Sequence, residues 1–378
     1  MSQVIAAPQR IARLAPVRDV HGVLDRLATP VRPRRIALAA ALGRVLAADA
    51  TIGTAQPVAA TAQRDGWAVE AAALADAGAY APTPLPAAAA WVDAGDPMPA
   101  GTDAVLPPDA VVPSAGTQEV IASVSPGEGT VPAGADFLSH QPIRRAGEAL
   151  RASDVAVLAL AGLEHVEVRA PRLYVVSGNA TVDAARDHVA PVLAAAVAAA
   201  GGEVEIARAS EQRDALERAL ADDDVDGVIA IGGTGAGRND RAVRVLAGMG
   251  QVHVHGMGIR PGDTTALGSV GERPVLLVPG RFDAALATWL LVGCRLLERL
   301  TGGSAREGGA SGVLGRKIVS TIGIAEMVLV RATAAGLDPI GGTSLPLRAL
   351  AQAAGWVLVP PDSEGYPAGA IVDVRPLP

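Results

Sequence analysis

A chain of 378 residues is longer than one hydrophobic core usually organises, so we expect two to four domains. Half of the residues are apolar and 19% are charged, a composition that excludes a largely disordered chain. The net charge of −7, the lack of a dense Lys/Arg run and the low content of aromatic residues argue against nucleic acid as a partner.

The cysteine content and the hydropathy of the chain limit its location. Cys294 is the single cysteine, which excludes an internal disulfide and a Cys-based metal cluster, and we interpret it as a core thiol. Residues 1–20 lack the apolar segment of a signal peptide, and no run of 18 uncharged apolar residues occurs. We therefore expect a cytoplasmic protein with no membrane-spanning segment.

The hydrophobic pattern of the first part of the chain changes from helical to β-type near residue 50. Residues 19–48 predict two amphipathic helices broken around Pro30 and Pro33. Their apolar stripes are Val20, Val23, Leu24 and Leu27, then Leu38, Leu42, Val45 and Leu46. From 50 to 139, short β-type runs alternate with Gly and Pro, which predicts a small β-rich domain.

From residue 171 onward, short apolar strands alternate with helices. The predicted strands cover 173–177, 203–207, 227–231 and 274–278, and the predicted helices cover 183–200, 211–221, 240–247 and 283–300. This alternation predicts a mostly parallel sheet with helices on both faces, a doubly wound α/β domain. After the Gly-rich segment 301–315, β-type runs at 327–331, 356–360 and 371–374 predict a C-terminal β domain.

Three loops follow strands of the predicted parallel sheet, and each contains glycine. They begin at Ser177-Gly178, at Gly232-Gly233-Thr234-Gly235 and at Pro279-Gly280. At the carboxyl edge of such a sheet, main-chain N–H groups at helix starts attract anions, and glycine lets a ligand approach the main chain. The sequence therefore predicts a binding site for a phosphorylated small molecule, with glycines that only form turns as the alternative.

The spacing of the second loop excludes two common phosphate motifs. Arg238 stands where the last glycine of a dinucleotide fingerprint would fall, and no Gly-Lys-Ser/Thr follows. Asp240 caps its helix or holds a cation, and capping is favoured. Arg260 clamps an oxyanion or is a solvated turn residue. His253 and His255 alternate on a predicted strand, and structural roles are favoured over a metal site.

At these loops and along nearly the whole chain, the sequence resembles the molybdopterin molybdotransferases of the MoeA and gephyrin E-domain type. The matching segments, in order, are Leu42-Gly43-Arg44-Val45-Leu46-Ala47, Arg64-Asp65-Gly66-Trp67-Ala68-Val69, Ala94-Gly95-Asp96-Pro97-Met98-Pro99-Ala100-Gly101-Thr102-Asp103-Ala104-Val105, Ile143-Arg144-Arg145-Ala146-Gly147-Glu148, Arg260-Pro261-Gly262, Val278-Pro279-Gly280 and Gly342-Thr343-Ser344. Each segment is modest alone, and their order makes the resemblance specific.

The resemblance implies four domains in a multi-domain α/β protein. These are a split helical domain at 1–49 and 140–170, a β-rich lid at 50–139, a molybdopterin-binding α/β domain at 171–303 and a C-terminal β domain at 304–378. It also implies a homodimer that inserts molybdate into adenylated molybdopterin with the help of Mg²⁺ and serves recipient molybdoenzymes. The implied catalytic residues are Asp65, Asp240 and Arg260, with Asp240 as a metal ligand. The implied cofactor-binding residues are Ser177, Gly178, Gly232, Gly233, Thr234, Gly235, Pro279, Gly280 and Ser344.

Several positions depart from the family pattern. Ala149 replaces an Asp, Asn179-Ala180 replaces an acidic pair, Asp263 replaces a Lys, and Arg281-Phe282 replaces Asn-Pro. These changes weaken the expected metal and molybdate sites, because they alter local charge. Two alternatives therefore stay open: a non-catalytic pterin carrier or scaffold, and an unrelated nucleotide-dependent enzyme on a doubly wound sheet.

Overall fold

A computed structural model describes residues 9–114, 116–177, 188–207, 212–238, 240–303 and 309–378. The helices α1 to α8 are Val17–Leu27, Ala152–Leu160, Val189–Ala199, Gln212–Ala221, Ala242–Met249, Phe282–Thr288, Cys294–Thr301 and Leu347–Gln352. None of the helices in these ranges is long and apolar enough to cross a membrane.

The strands fall into two compact units. The first unit comprises Met1–Ala48, Ala146–Ala152 and His165–Pro378, and the second comprises Asp49–Arg145 and Ser153–Glu164. The strands β1 to β13 are Arg34–Ala37, Val45–Leu46, Ala50–Thr51, Thr61–Ala62, Gly66–Val69, Thr83–Pro84, Ala90–Val92, Ala104–Leu106, Val111–Ser114, Thr117–Val120, Thr130–Val131, Pro142–Arg144 and His165–Arg169. The strands β14 to β27 are Arg172–Ser177, Glu203–Ala207, Gly227–Ile231, Gln251–His255, Ile259–Arg260, Ala266–Val270, Arg273–Val278, Ala310–Val313, Ile318–Val319, Ala325–Thr333, Gly336–Gly341, Gly355–Val359, Gly365–Tyr366 and Ile371–Val374.

The central sheet of the first unit has six strands in the order β15-β14-β16-β20-β19-β17. The first four strands are parallel, and β19 and β17 continue the sheet in antiparallel fashion. The expectation of a doubly wound, mostly parallel sheet is therefore confirmed. The antiparallel pair at one edge carries His253 and His255.

Residues of the central strands alternate between two apolar cores. Ile229 and Ile231 pack with α1, α3, α6 and α7 on one face, while Val228 and Ala230 pack with α4 and α5 on the other. All five residues of β16 are buried, as expected for a strand covered on both sides. Burying a side chain such as Ile229 contributes about 2 kcal/mol, so the alternation fixes the strand register.

The C-terminal strands share one of these cores. In β23, Met327 and Leu329 pack into the core of α1 and α3, whereas Val328 and Val330 pack into a smaller core with Val357. Because β23 contributes side chains to both cores, it links the C-terminal β region to the α/β region. Segments on β23 and its neighbours are thereby fixed relative to the central sheet.

Two predicted helices differ from the structure. The expected second amphipathic helix is wrong, because residues 34–37 and 45–46 are strands that pair with β13, and Gly43 adopts a positive φ of 75°. The apolar residues in this region occur at helical spacing, but the chain pairs with another strand instead of forming a helix. The helix expected at 283–300 is interrupted by a π turn at Trp289–Gly293, where Trp289 packs directly on the main chain of Gly293.

The second unit consists of short antiparallel strands with their own core. Strands β7, β5 and β8 form a small sheet, and β6, β10 and β9 form another. Val69, Leu74 and Leu106 belong to the buried core of this unit. Trp67 and Trp91 meet edge to face with ring centroids 5.6 Å apart.

Candidate ligand-binding site at the carboxyl edge of the central sheet

Three parallel strands end level with one another at the carboxyl edge. Ser177 is in register with Ile231, and Ile231 is in register with Val278. The loops predicted to bind phosphate begin directly after these residues. The first of them, with Gly178, lies outside the described residues, so the structure brings together the second and third loops.

The second and third loops touch through main-chain atoms. The Gly232 N–H donates to the Val278 carbonyl at 2.8 Å, and a Cβ on Gly280 would lie 3.4 Å from the Gly232 Cα. Gly232 and Gly233 have φ angles of 86° and 71°, a region that favours glycine. At Gly232, Gly233 and Gly280 the two loops therefore present main chain without side chains, as close approach of a ligand requires.

Asp240 organises the second loop. Its Oδ2 accepts the Gly237 N–H at 2.8 Å, and a Cβ on Gly235 or Gly237 would lie 2.8 or 2.9 Å from that oxygen. The favoured interpretation of Asp240 as a helix cap is wrong, since α5 begins at Ala242 with Arg241 as the N-cap residue and no side-chain cap bond. The carboxylate instead stabilises the glycine-rich turn by accepting the hydrogen bond from the Gly237 N–H.

Thr234 is a buried residue of the second loop. It is 2% exposed, and its hydroxyl lies 2.9 Å from the Thr264 hydroxyl. The Nε2 of His255 lies 2.9 Å from the Thr234 carbonyl, to which it must donate, and the Nε2 of His253 lies 3.0 Å from Ser269 Oγ. Both histidines thus make hydrogen bonds that hold the structure around the loop.

Gln9 is a contact that the sequence did not suggest. This side chain is 7% exposed, and its Nε2 donates to the carbonyls of Gly233 at 3.1 Å and Gly235 at 2.9 Å. Its Oε1 accepts the Arg244 N–H at 3.3 Å. No sequence signal marks this residue, because a lone glutamine in an irregular segment has no periodicity to read.

Arg260 ends β18 beside a buried acid. In the parallel pairing of β18 with β23, Arg260 is in register with Glu326, which is 5% exposed. Glu326 accepts hydroxyl hydrogen bonds from Ser320 at 2.6 Å and from Thr343 at 3.2 Å. A single acid in the apolar run of β23 was a signal that could have identified Glu326.

Ser344 and the third loop border one cavity of about 320 Å³. Arg281, Asp283 and Leu345 also line it. Asp283 is 6% exposed, pairs with the exposed Arg281 at 2.7 Å, and accepts the Ala284 and Leu345 N–H groups at 2.9 and 3.3 Å. Asp283 thereby ties the third loop to the segment that carries Ser344.

Asp65 belongs to the second compact unit. It is exposed, and its Oδ1 accepts the Ala94 N–H at 2.8 Å, next to the strand Gly66–Val69. This bond joins two segments on which the family resemblance rests. The catalytic role of Asp65 stays a prediction, as do the roles of Asp240, Arg260 and the cofactor-binding residues.

The described residues do not fit a preassembled cation site. Among them, no group of three or more His, Cys, Asp or Glu side chains is placed to hold a metal ion. Asp240, the expected metal ligand, has one oxygen on the Gly237 N–H. The edge instead carries the glycine main chain of two loops, with Arg281 and Ser344 at the adjoining cavity, a set that suits an anion.

Comparisons with known proteins match the chain in three consecutive parts. Residues 11–162 match the MoeA N-terminal region (domain I and II), residues 173–299 match a probable molybdopterin binding domain, and residues 311–377 match the MoeA C-terminal region (domain IV). The candidate site lies in the second and third of these parts.

Related sequences agree with this assignment. Molybdopterin molybdenumtransferase 1 of Mycobacterium tuberculosis is 27% identical over 95% of this chain and 98% of its own length. A molybdopterin biosynthesis protein of Methanocaldococcus jannaschii is 29% identical over 43% of this chain, and the chain spans only 38% of that relative.

Solved structures share the fold of the whole chain. The molybdopterin biosynthesis MoeA protein of Pyrococcus horikoshii has a TM-score of 0.77 and 25% identity, covering 97% of this chain and 100% of the other. A molybdenum cofactor biosynthesis protein of Pyrococcus furiosus has a TM-score of 0.62, 20% identity and 96% coverage of this chain. With three family regions matched in order and the fold shared end to end, this chain belongs to the MoeA family of molybdenum-cofactor biosynthesis proteins.

Proposed function

We propose that the carboxyl edge of the central sheet binds molybdopterin or adenylated molybdopterin, and that the protein acts on it as a molybdopterin molybdotransferase. The observation that supports this site most strongly is the meeting of two glycine loops, with Gly232 against Gly280. Main-chain N–H groups exposed by such loops bind phosphate without any side chain. The phosphate of the pterin is therefore the group that the edge recognises.

The side chains around the loops provide the remaining recognition. Arg281 and Ser344 line the cavity of about 320 Å³ beside the third loop. In this proposal Arg260 supplies a second cation for an oxyanion. Molybdate is an oxyanion, so the same cations attract it as the entering substrate. No step is assigned to Mg²⁺, because the described residues do not fit a cation site.

A second candidate function is a pterin carrier that binds without insertion. The engagement of Asp240 with the Gly237 N–H favours it, because a carboxylate that orders a loop has less capacity to hold a metal. The two functions share the ligand and differ in turnover. Both predict pterin binding at the same edge.

The test combines binding with turnover. Purified protein is titrated with adenylated molybdopterin and then incubated with molybdate and Mg²⁺, and mature cofactor is measured by activation of a cofactor-free molybdoenzyme. Saturable binding with cofactor formation supports the transferase. Binding without formation selects the carrier, and lack of binding removes both.

The wider expectations belong to the same proposal. A homodimer that delivers its product to recipient molybdoenzymes is what the family resemblance implies, and the hydropathy of the sequence leads us to expect it in the cytoplasm. Light scattering of the purified chain tests the assembly directly, since a homodimer has a mass near 76 kDa, twice the 38.0 kDa of one chain. A mass of one chain at micromolar concentration would contradict it.

A further inference from the structure

We infer that Gln9, in the N-terminal segment, is a positioning residue that holds the second glycine loop in its binding-competent shape. The N-terminal segment is not among the positions on which the family resemblance rests. The side chain of Gln9 nevertheless makes all of its described hydrogen bonds to the main chain of the second loop and of α5.

The geometry of Gln9 is selective for an amide. Both protons of Nε2 are directed to carbonyls, at 3.1 Å for Gly233 and 2.9 Å for Gly235, while Oε1 accepts from Arg244. The donors and acceptors assign the amide orientation without ambiguity. Neither a carboxylate nor an apolar side chain of the same length can satisfy all three main-chain groups.

The segment that carries Gln9 is itself fixed to the sheet. The Ala15 N–H donates to the Gly256 carbonyl at 2.9 Å, and the Gly258 N–H donates to the Ala15 carbonyl at 2.8 Å. Gly256 has a φ of 96°, and a Cβ there would lie 2.3 Å from Ile11 Cγ2. Glycine at 256 therefore makes room for the segment, which explains how Gln9 reaches the loop.

Without Gln9, the loop would rely on fewer contacts. Asp240 holds the Gly237 N–H and His255 holds the Thr234 carbonyl, but the Gly235 carbonyl has Gln9 as its described partner. A glycine-rich loop gains most from such external bonds, because its own conformational entropy is high. Fixing the turn before the ligand arrives lowers the entropy cost of binding.

The experiment compares three variants of the full-length protein. Gln9→Met keeps the length and removes the hydrogen bonds, and Gln9→Glu places carboxylate oxygens against two carbonyls. Gln251→Met is the matched control, since Gln251 is exposed on β17. Hydrogen exchange is followed at residues 233–237 and at the Arg244 amide, which Gln9 contacts directly.

The inference predicts faster exchange at the Arg244 amide and across residues 233–237 in both Gln9 variants, and no change in the control. Molybdopterin affinity should fall about tenfold in Gln9→Met and further in Gln9→Glu. Relative to wild type, the affinity of Gln9→Glu should recover as pH falls and its carboxyl group gains a proton to donate. A purely structural residue would not produce that pH profile.

Opposite results would overturn the inference. These are unchanged exchange at Arg244, equal acceleration throughout the chain, or a Gln9→Met protein that does not fold. The affinity measurement rests on the proposed function, whereas hydrogen exchange does not. If molybdopterin fails to bind wild type, the exchange data still decide the role of Gln9.

Discussion

Two irregular segments border the candidate site, and they are held in different ways. The loop at 232–238 is held by hydrogen bonds between its main chain and the side chains of Gln9 and Asp240. The segment at 342–345 is instead held by two buried carboxylates, Asp283 at 6% and Glu326 at 5% exposure. The first arrangement uses the amide of Gln9 and a partly exposed carboxylate, whereas the second places two buried carboxylates against the segment that carries Ser344.

This contrast separates affinity from stability. Changes in the glycine loop should weaken ligand binding and leave the fold intact, because the loop is at the surface of a well-packed sheet. Changes at the buried carboxylates should destabilise the protein, because they leave buried hydrogen-bonding groups without partners. Each prediction below tests one side of this distinction.

The largest expected effect is on stability, at Asp283. Asp283→Ala removes the partner of the Ala284 and Leu345 N–H groups and should lower the free energy of unfolding by about 2 kcal/mol. Asp224→Ala, at an exposed acid of the same unit, should change it by less than about 0.5 kcal/mol. Urea denaturation measures both, and equal values for the two variants would argue against a structural role of Asp283.

The second effect is on ligand affinity, at Gly235. In Gly235→Ala the new Cβ would lie 2.8 Å from Asp240 Oδ2, so the carboxylate must release the turn that it holds. We expect molybdopterin affinity to fall about tenfold with a near-normal melting temperature. Gly248→Ala is the control, because a Cβ at that position meets nothing within 4 Å. This variant should bind molybdopterin normally. A large loss of molybdopterin affinity in Gly248→Ala would show that the glycine replacements act through α5 and not through the loop.

A smaller effect distinguishes two roles of Asp240. If the carboxylate only orders the loop, Asp240→Asn should bind molybdopterin almost normally, since its amide oxygen still accepts the Gly237 N–H. In that case the molybdopterin affinity of Asp240→Ala should fall about fivefold. If Asp240 is a metal ligand, Asn and Ala should both abolish any dependence of binding on Mg²⁺. Titration calorimetry with and without Mg²⁺ separates these outcomes.

The smallest effect lies away from the site, at Tyr174. Its hydroxyl donates to Asp222 at 2.7 Å, which lowers the pKa of the Asp222 carboxyl and raises the pKa of the Tyr174 hydroxyl. A lowered carboxyl pKa contributes stability above the unfolded pKa near 4, and that stability is lost as pH falls through the folded value. The melting temperature of Tyr174→Phe should therefore lie slightly below that of wild type at pH 7. The difference between the two melting temperatures should narrow below pH 4. A gap that is constant with pH would exclude the proposed coupling.

The sequence predicted the central α/β region well because its pattern is strongly periodic. Strands such as Gly227–Ile231 are short apolar runs between helices, and their level carboxyl ends follow from parallel pairing. The helix expected at 38–46 failed because short strands that pair with β13 can also show apolar residues three and four positions apart. Tertiary pairing decides such cases, and local spacing does not.

The site was predictable only in its glycines. Gly232, Gly233 and Gly280 follow strands, so their convergence could be inferred from topology. Gln9 and Asp283 could not be inferred, since each acts on residues distant in sequence through main-chain bonds. Hydrogen bonds of this kind depend on how loops pack, and no residue spacing encodes them.

The central claim is that the pterin phosphate lies on the glycine loops at the carboxyl edge. A crystal structure of the protein with molybdopterin bound tests it most directly. The account predicts phosphate oxygens within hydrogen-bonding distance, about 3 Å, of main-chain N–H groups in the segments 233–236 and 280–281. A pterin whose phosphate contacts neither segment would contradict it.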